Sequence, residues 1–388
     1  MSARRRLSLV VIARDEAPRI RRLLDSVAPW VDAMLVLDTG SLDDTPAIAA
    51  RCGASVHHAD WTGDFSVARN RALTLAGADW HLVLDADEWL ISGGPALRAL
   101  RDQPPDHVGA VQFQDHYDDG GAQVAQTWMS RVFPGGLRYA GRVHEQVAHG
   151  LPVRRLGVVV GHDGYLPDRL QAKQGRNRVL LERELAAHPQ DAYLWYQLGK
   201  DCDVYREHEA AEAAFARAGD LGGAGFPWWH DLVVRRLFGL KQLKRHGQGM
   251  DLAERELARC QDLPDFFFAV GDLLLDLAAD QPAQADALVP MIQSAWERCL
   301  AIGERPDLPG TVAGRGSHLA AHNLALVLDF GGRATEAAAL RDRHRLPTQS
   351  PGAVVGQLPT SEVDESGLKG SKRPDVAVDI GSLQFESR

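Results

Sequence analysis

Cysteine is scarce in this chain. Four occur among 388 residues, Cys52, Cys202, Cys260 and Cys299. None lies in a CxxC spacing, so the sequence offers neither a zinc-ribbon nor a thioredoxin-type motif. They read as small buried hydrophobes in a reducing compartment. Long apolar runs are missing as well: no stretch nears the roughly 18 uncharged residues of a membrane span. Positive charge is in deficit, with 43 Lys+Arg against 52 Asp+Glu and a net charge of −9. General binding to a nucleic-acid backbone, which is driven by net positive charge, is therefore not expected. Neither GxGxxG nor GxxxxGK[ST] follows the first apolar run, which removes the dinucleotide fingerprint and the P-loop. The opening MSARRRLSLVVIARDE imitates a signal peptide. Its apolar run covers only Leu7 to Ala13, however, and Arg14, Asp15 and Glu16 follow with no small-residue cleavage site. The expectation is a buried first strand in a cytoplasmic protein.

What is present is ordinary globular composition, 45% apolar and 24% charged, at a length that suggests two domains at roughly 150 residues each. The first half alternates short apolar runs with helical patterns. Strands are expected at 7–13, 33–38, 55–58 and 80–85. Helices are expected at 18–28, 45–52 and 65–76, the last with Phe65, Ala68, Ala72 and Leu75 on one face. Continuous apolar strands separated by helices imply a parallel sheet covered on both sides. Beyond residue 108 the pattern turns to strands at 109–115, 127–133 and 156–162. A helical region follows, with segments at 169–187, 193–221, 227–246, 250–261, 265–279, 283–302 and 317–345. Trp195, Leu198, Gly199, Ala211, Phe215 and Ala218 match a tetratricopeptide repeat, whose period is about 34 residues. Cys202 stands where a Tyr is usual and Gly223 where a Pro closes the repeat. The expected domains are 1–168, an α/β domain with a mixed central sheet; 169–346, an all-α domain; and 347–388, a Pro, Gly, Ser and Thr-rich disordered tail.

Ligands of parallel α/β sheets sit at the carboxyl ends of the strands. Here those ends carry Arg14-Asp15-Glu16, Asp38-Thr39-Gly40-Ser41 and Asp85-Ala86-Asp87-Glu88. An acidic cleft meets a polyphosphate through a divalent cation, and carboxylate oxygens suit Mg2+ or Mn2+. The DADE tetrapeptide reads either as a solvated turn after a strand or as a metal site. The other acidic strand ends favour the second. His162 ends a later strand, where a lone histidine is either structural or a ligand. His57 and His58 alternate on a strand and read as structural.

The segments VVIARDE, LVLDTGSLDDT, DWTGDFSVARNRAL and DWHLVLDADEWL resemble, in order and spacing, the family 2 inverting glycosyltransferases of GT-A fold. YAGRVHEQV, VVVGHDGY and the helical run from Arg176 extend the likeness to a subgroup with a tetratricopeptide-like domain, which includes sublancin-type peptide S-glycosyltransferases. The likeness spans about residues 7–220. It implies transfer of a sugar from a nucleotide donor, most readily a UDP-sugar, to a peptide, protein or glycan, with Mn2+ or Mg2+ as cofactor. It implies nucleotide-sugar contacts from Arg14, Glu16, Asp38, Ser41, Arg69, Asn70, Asp85 and Ala86, and metal ligation by Asp87 and His162. Asp15 departs from the Asn common at its position. Inverting transfer needs a base for the acceptor proton; Glu145 is the first candidate and Asp115 the second, with His144 expected on a strand and pointing away from Glu145. Two other classes remain open: a nucleotidyltransferase, and a non-catalytic interaction module with a degenerate transferase domain. The helical region has several expected uses: an acceptor groove, a homo-oligomer contact, or a brace for the catalytic domain.

Overall fold

The computed structural model describes residues 4–116, 124–162, 175–308 and 310–344. The expected tail at 347–388, the Gly-rich turn at 118–121 and the 168/169 boundary lie outside them. Contacts divide the chain into two compact units, Met1–Pro227 with Pro309–Thr311, and Trp228–Leu308 with Val312–Arg388.

Among the described residues the first unit is built on ten strands. In chain order they are β1 (Leu7–Ala13), β2 (Ala33–Asp38), β3 (Ser55–His58), β4 (Trp80–Val83), β5 (Glu88–Ser92), β6 (Val108–His116), β7 (Val124–Pro134), β8 (Tyr139–Ala140), β9 (Gln146–Val147) and β10 (Val153–His162). Eight form one mixed sheet in the order β3-β2-β1-β4-β7-β6-β10-β5, and β8 pairs with β9. β1 to β4 run parallel, β7 is antiparallel to both β4 and β6, and β10 is parallel to β6. Helices α1 (Ile20–Val27), α2 (Thr45–Arg51) and α4 (Gly94–Ala99) accompany it, with α3 (Phe65–Ala76) between β3 and β4. Alternation along β1 explains why its sequence shows no polar face. Leu7, Leu9 and Val11 enter a core with α1 residues Leu23 and Leu24, while Val10 enters a second core with Ala68, Ala72 and Leu73 of α3. Both faces are covered, so both must be apolar.

Three expectations are corrected here. Leu75 is 43% exposed, and the buried face of α3 is Ala68, Arg69, Ala72, Leu73 and Ala76. A buried arginine within the stripe shifts it by one position from what hydrophobicity alone suggests. β5 and α4 were not anticipated; β5 is the sheet edge, antiparallel to β10. The helix expected at 317–345 is two, α12 (His318–Phe330) and α13 (Ala334–Arg343), separated at Gly331-Gly332, where Gly332 adopts φ +74°.

The first unit also contains α5 (Arg176–Ala187), α6 (Ala192–Val204) and α7 (His208–Gly222). Gly199 of α6 lies against Phe215 of α7, and a Cβ there would stand 2.5 Å from the ring. This is the close helix approach expected from the repeat-like spacing. The second unit holds α8 (Trp229–Gln242), α9 (His246–Glu256), α10 (Pro264–Asp280), α11 (Ala285–Ile302), α12 and α13 around a core that includes Phe266, Leu273, Ile292 and Trp296. Its His246, Asp276 and Asp280 lie close enough to share a cation. The Lys244 ammonium supplies one, 2.7 Å from Asp276 and 3.3 Å from Asp280. No helix among the described residues is long and apolar enough to cross a membrane.

Gly199→Ala is expected to overpack the α6–α7 contact and lower stability by about 1–3 kcal/mol despite the better helix propensity of alanine. Urea denaturation monitored by circular dichroism measures it.

Candidate active site

The carboxyl edge of β1, β2 and β4 is closed by two interlocked loops and one turn. In the first loop Asp15 has φ +56°, a left-handed conformation that Asp and Asn tolerate best among side-chain-bearing residues. Its backbone N–H donates to Ser41 Oγ at 2.9 Å, and its Oδ1 accepts from the Leu42 N–H at 2.7 Å. Aspartate therefore meets the geometric demand of a position where asparagine is common. The Glu16 N–H donates to Thr45 Oγ1 at 2.7 Å, and the Glu16 carboxylate pairs with Arg19 at 2.6 Å. Asp38 is buried at 4% exposure and accepts from the N–H groups of Gly40 and Ser41, each at 3.3 Å. His58 Nδ1 lies 3.3 Å from its carboxylate, so this histidine, expected to be only structural, borders the edge. Arg14 is half-exposed beside Asp15.

DADE follows β4 and folds back on itself. The Glu88 N–H donates to the Asp85 carbonyl at 3.0 Å, and the Asp85 N–H donates to Glu88 Oε2 at 2.8 Å. Ala86, Asp87 and Glu88 are all buried. Asp85 retains 36% side-chain exposure and accepts from two guanidinium groups, Arg69 at 2.8 Å and Arg131 at 3.5 Å. Arg131 also meets Glu88 at 2.5 Å, and Arg69 Nε donates to Glu145 Oε1. Burial works to raise the Asp85 pKa, but Arg69 and then Arg131 outweigh it and hold it near about 2. Burial pushes the Glu88 carboxyl up from its ordinary value, against the pull of Arg131. On the far side of the turn, His162 Nε2 at the end of β10 lies 3.7 Å from Asp87 Oδ2. The register that places it there pairs His162 with Glu88 on one side and with Asp115 on the other.

Arg69, Asp85 and Glu145 are thus joined in one network, and Asp87 and His162 stand side by side. Asn70 does something else. Its amide donates to the Tyr139 carbonyl at 2.9 Å and its Oδ1 accepts from the Tyr139 N–H at 2.8 Å, which clamps β8 to α3. The backbone of Asp115 pairs with β10; its side chain lies outside the described set. His144 is not on a strand. It sits in a bend with φ +50°, and burial followed by the nearby Lys200 lowers its pKa to about 4. Glu88 and Arg131 were not singled out from sequence. Glu88 is the fourth residue of DADE, and Arg131 is a lone charge in the apolar strand WMSRVF, which is the signal that marks it.

A family model, "Glycosyl transferase family 2", matches residues 8–154. That segment, which carries β1 to β9 and the DADE turn, is thus similar in sequence to the glycosyl transferases of family 2. The chain is 42% identical over 214 residues to a TPR repeat-containing protein of Synechococcus elongatus, covering 51% of this chain and 52% of that one. It is 26% identical over 318 residues to the glycosyltransferase SunS of Bacillus phage SPbeta, covering 76% and 73%. It therefore spans about half of the first relative's length. Among solved structures, glucosyl-3-phosphoglycerate synthase from Mycobacterium tuberculosis, in complex with Mn2+, UDP and glucosyl-3-phosphoglycerate, is 26% identical; the match covers 31% of this chain and 46% of that one at a TM-score of 0.24.

A carboxylate held below its unfolded pKa contributes stability that is present above that value and is lost as pH falls through the folded pKa. For Asp85 the window runs from its ordinary 3.8 down to about 2. In metal-free protein, Asp85→Asn is expected to be less stable than wild type at neutral pH, with the gap closing across that window. Urea midpoints measured from pH 7 to pH 2 test this, and a constant gap would contradict it.

Proposed function

We propose that the protein is a metal-dependent inverting glycosyltransferase that moves a sugar from a nucleotide diphosphate donor, UDP above others, to a peptide, protein or glycan acceptor. The observation that carries this reading is the DADE turn at the carboxyl edge of β4 with Asp87 beside His162. It lies within a segment of the family 2 type. A carboxylate oxygen and an imidazole nitrogen 3.7 Å apart form a mixed donor pair, and the imidazole favours Mn2+ over Mg2+, which prefers oxygen alone. The local chemistry supports it: four carboxylates, Asp85, Asp87, Glu88 and Glu145, gather here, three of them on Arg69 and Arg131 and Asp87 beside His162, and carboxylate oxygens suit a divalent cation. When bound, that cation supplies Lewis-acid neutralisation of the diphosphate leaving group.

The chain's own residues do the rest. The interlocked loops carrying Arg14, Glu16, Asp38 and Ser41 form the nucleotide edge. Arg69 orients Asp85 below the donor. Glu145, its Oε1 held by Arg69 Nε, takes the acceptor proton. Asp115 is the competing base, and Glu145→Gln against Asp115→Asn separates them. A thiol acceptor would lean less on either, since a thiolate is itself a strong nucleophile. The helical hairpin offers an acceptor surface: a cleft of about 510 Å³ between α5, α6 and α7, lined by Arg178, Trp195, Leu198 and Arg217 among others. The absence of a Gly-rich basic loop after β1 weighs against a nucleotidyltransferase.

Calorimetry with UDP and Mn2+ tests the donor site. Wild type is expected to bind UDP only with Mn2+ present, and Asp87→Ala to weaken that binding by about 10-fold or more, since even the groups behind a metal ligand are worth that much, with its fold intact. Absence of nucleotide binding by wild type would overturn the reading in favour of an interaction module.

A further inference from the structure

Glu145 sits in a loop whose shape is set by a helix outside the glycosyl transferase domain. The loop runs from β8 to β9 and contains His144 in the left-handed region, φ +50°. A residue with a Cβ pays roughly 1–2 kcal/mol for that conformation, so surrounding contacts must hold it. Three sets of contacts do. The Arg142 carbonyl accepts from the Phe65 N–H at 2.9 Å, and its guanidinium pairs with Glu184 of α5 at 2.8 Å. Val143 is buried among Leu181, Leu185 and Leu194. Tyr193, in the first turn of α6, then closes the loop. Its hydroxyl donates to the His144 carbonyl at 3.3 Å and accepts from Gln146 Nε2 at 2.7 Å. Gln197 bonds the same hydroxyl, and Lys200 approaches His144. Tyr193, Gln197 and Lys200 are spaced i, i+4 and i+7, one stripe of α6. The flanking residues of Glu145 are therefore tied, on both sides, to a single phenol oxygen.

We infer that Tyr193 is a positioning residue of the transferase centre, acting through the His144 carbonyl and the Gln146 side chain to aim the Glu145 carboxylate at Arg69 and the acceptor. This rests on the glycosyl-transfer reading above. It assigns the repeat-like hairpin a part in catalysis that is separate from any acceptor surface it offers. A purely structural tyrosine would act through its ring, which packs near Tyr196, and phenylalanine keeps that ring. Only the hydroxyl carries the proposed role.

The test is Tyr193→Phe in the full-length chain, with Gln197→Leu as a second variant. The probe is UDP with Mn2+ for binding, and UDP-glucose or UDP-N-acetylglucosamine, whichever wild type hydrolyses, for turnover. The expected result is a kcat reduced about tenfold or more by the loosened base. Donor KM, UDP affinity and melting temperature should match wild type. Amide hydrogen exchange across 143–147 should be faster. Unaltered exchange in that segment overturns the inference whatever the turnover, as does an unaltered kcat. A parallel rise in KM with loss of UDP affinity would do the same, because it would mark general damage. If wild type binds no UDP, the glycosyl-transfer reading falls first and takes this inference with it, an outcome read on wild type alone.

Discussion

A guanidinium group buried to 7% exposure is the constraint around which this site is organised. Arg69 projects from the core-facing side of α3 and cannot be left unpaired there, since an uncompensated buried charge costs several kcal/mol. Its partners come from two distant segments, Asp85 of the DADE turn and Glu145 of the β8–β9 loop. Arg131 of β7 adds a second cation, shared between Asp85 and Glu88. Four separate stretches of chain are thereby forced to meet at the carboxyl edge of the sheet. The price in desolvation is offset by charge-assisted bonds to groups that are needed there in any case. That is the economy of the site: the bonds that make Arg69 tolerable also fix the turn that carries Asp87.

The same logic explains what was and was not legible in the sequence. The parallel strands were readable because residues such as Leu7, Val10 and Leu37 must be apolar on both faces. DADE stood out because carboxylates at the end of such a strand break the pattern sharply. The true face of α3 was hidden, because Arg69 occupies a core position that no hydrophobicity rule assigns to arginine. Arg131 was hidden for the same reason. The position of His144 was misread because a left-handed bend at a residue other than glycine leaves no compositional mark. β5 escaped because a run of only three apolar residues, Trp89 to Ile91, directly after a charged turn looks like the tail of β4 rather than the start of an edge strand. The pairing of Glu145 with Arg69, 76 residues away, is long-range and could not be read from spacing; the family resemblance brought both residues to notice without linking them.

The first helices after the sheet are not a module apart from the loop that holds Glu145. Here α5 and α6 share a small apolar cluster with Val143 and Phe65, and they bond directly to the loop that holds Glu145. The first compact unit accordingly extends through α7 to Pro227. Packing, not the change from strands to helices, marks where that unit stops. The polar and apolar contacts of α6 point in one direction: towards a loop whose conformation is strained unless it is held.

The most direct measurement of the account is a crystal structure with Mn2+ and UDP, with the metal located by its anomalous signal. The account predicts Mn2+ in contact with Asp87 and His162, the diphosphate on the metal, and Arg69 still bridging Asp85 and Glu145. Mn2+ bound away from both Asp87 and His162, or an Arg69 that releases Glu145 to pair with the diphosphate, would contradict it.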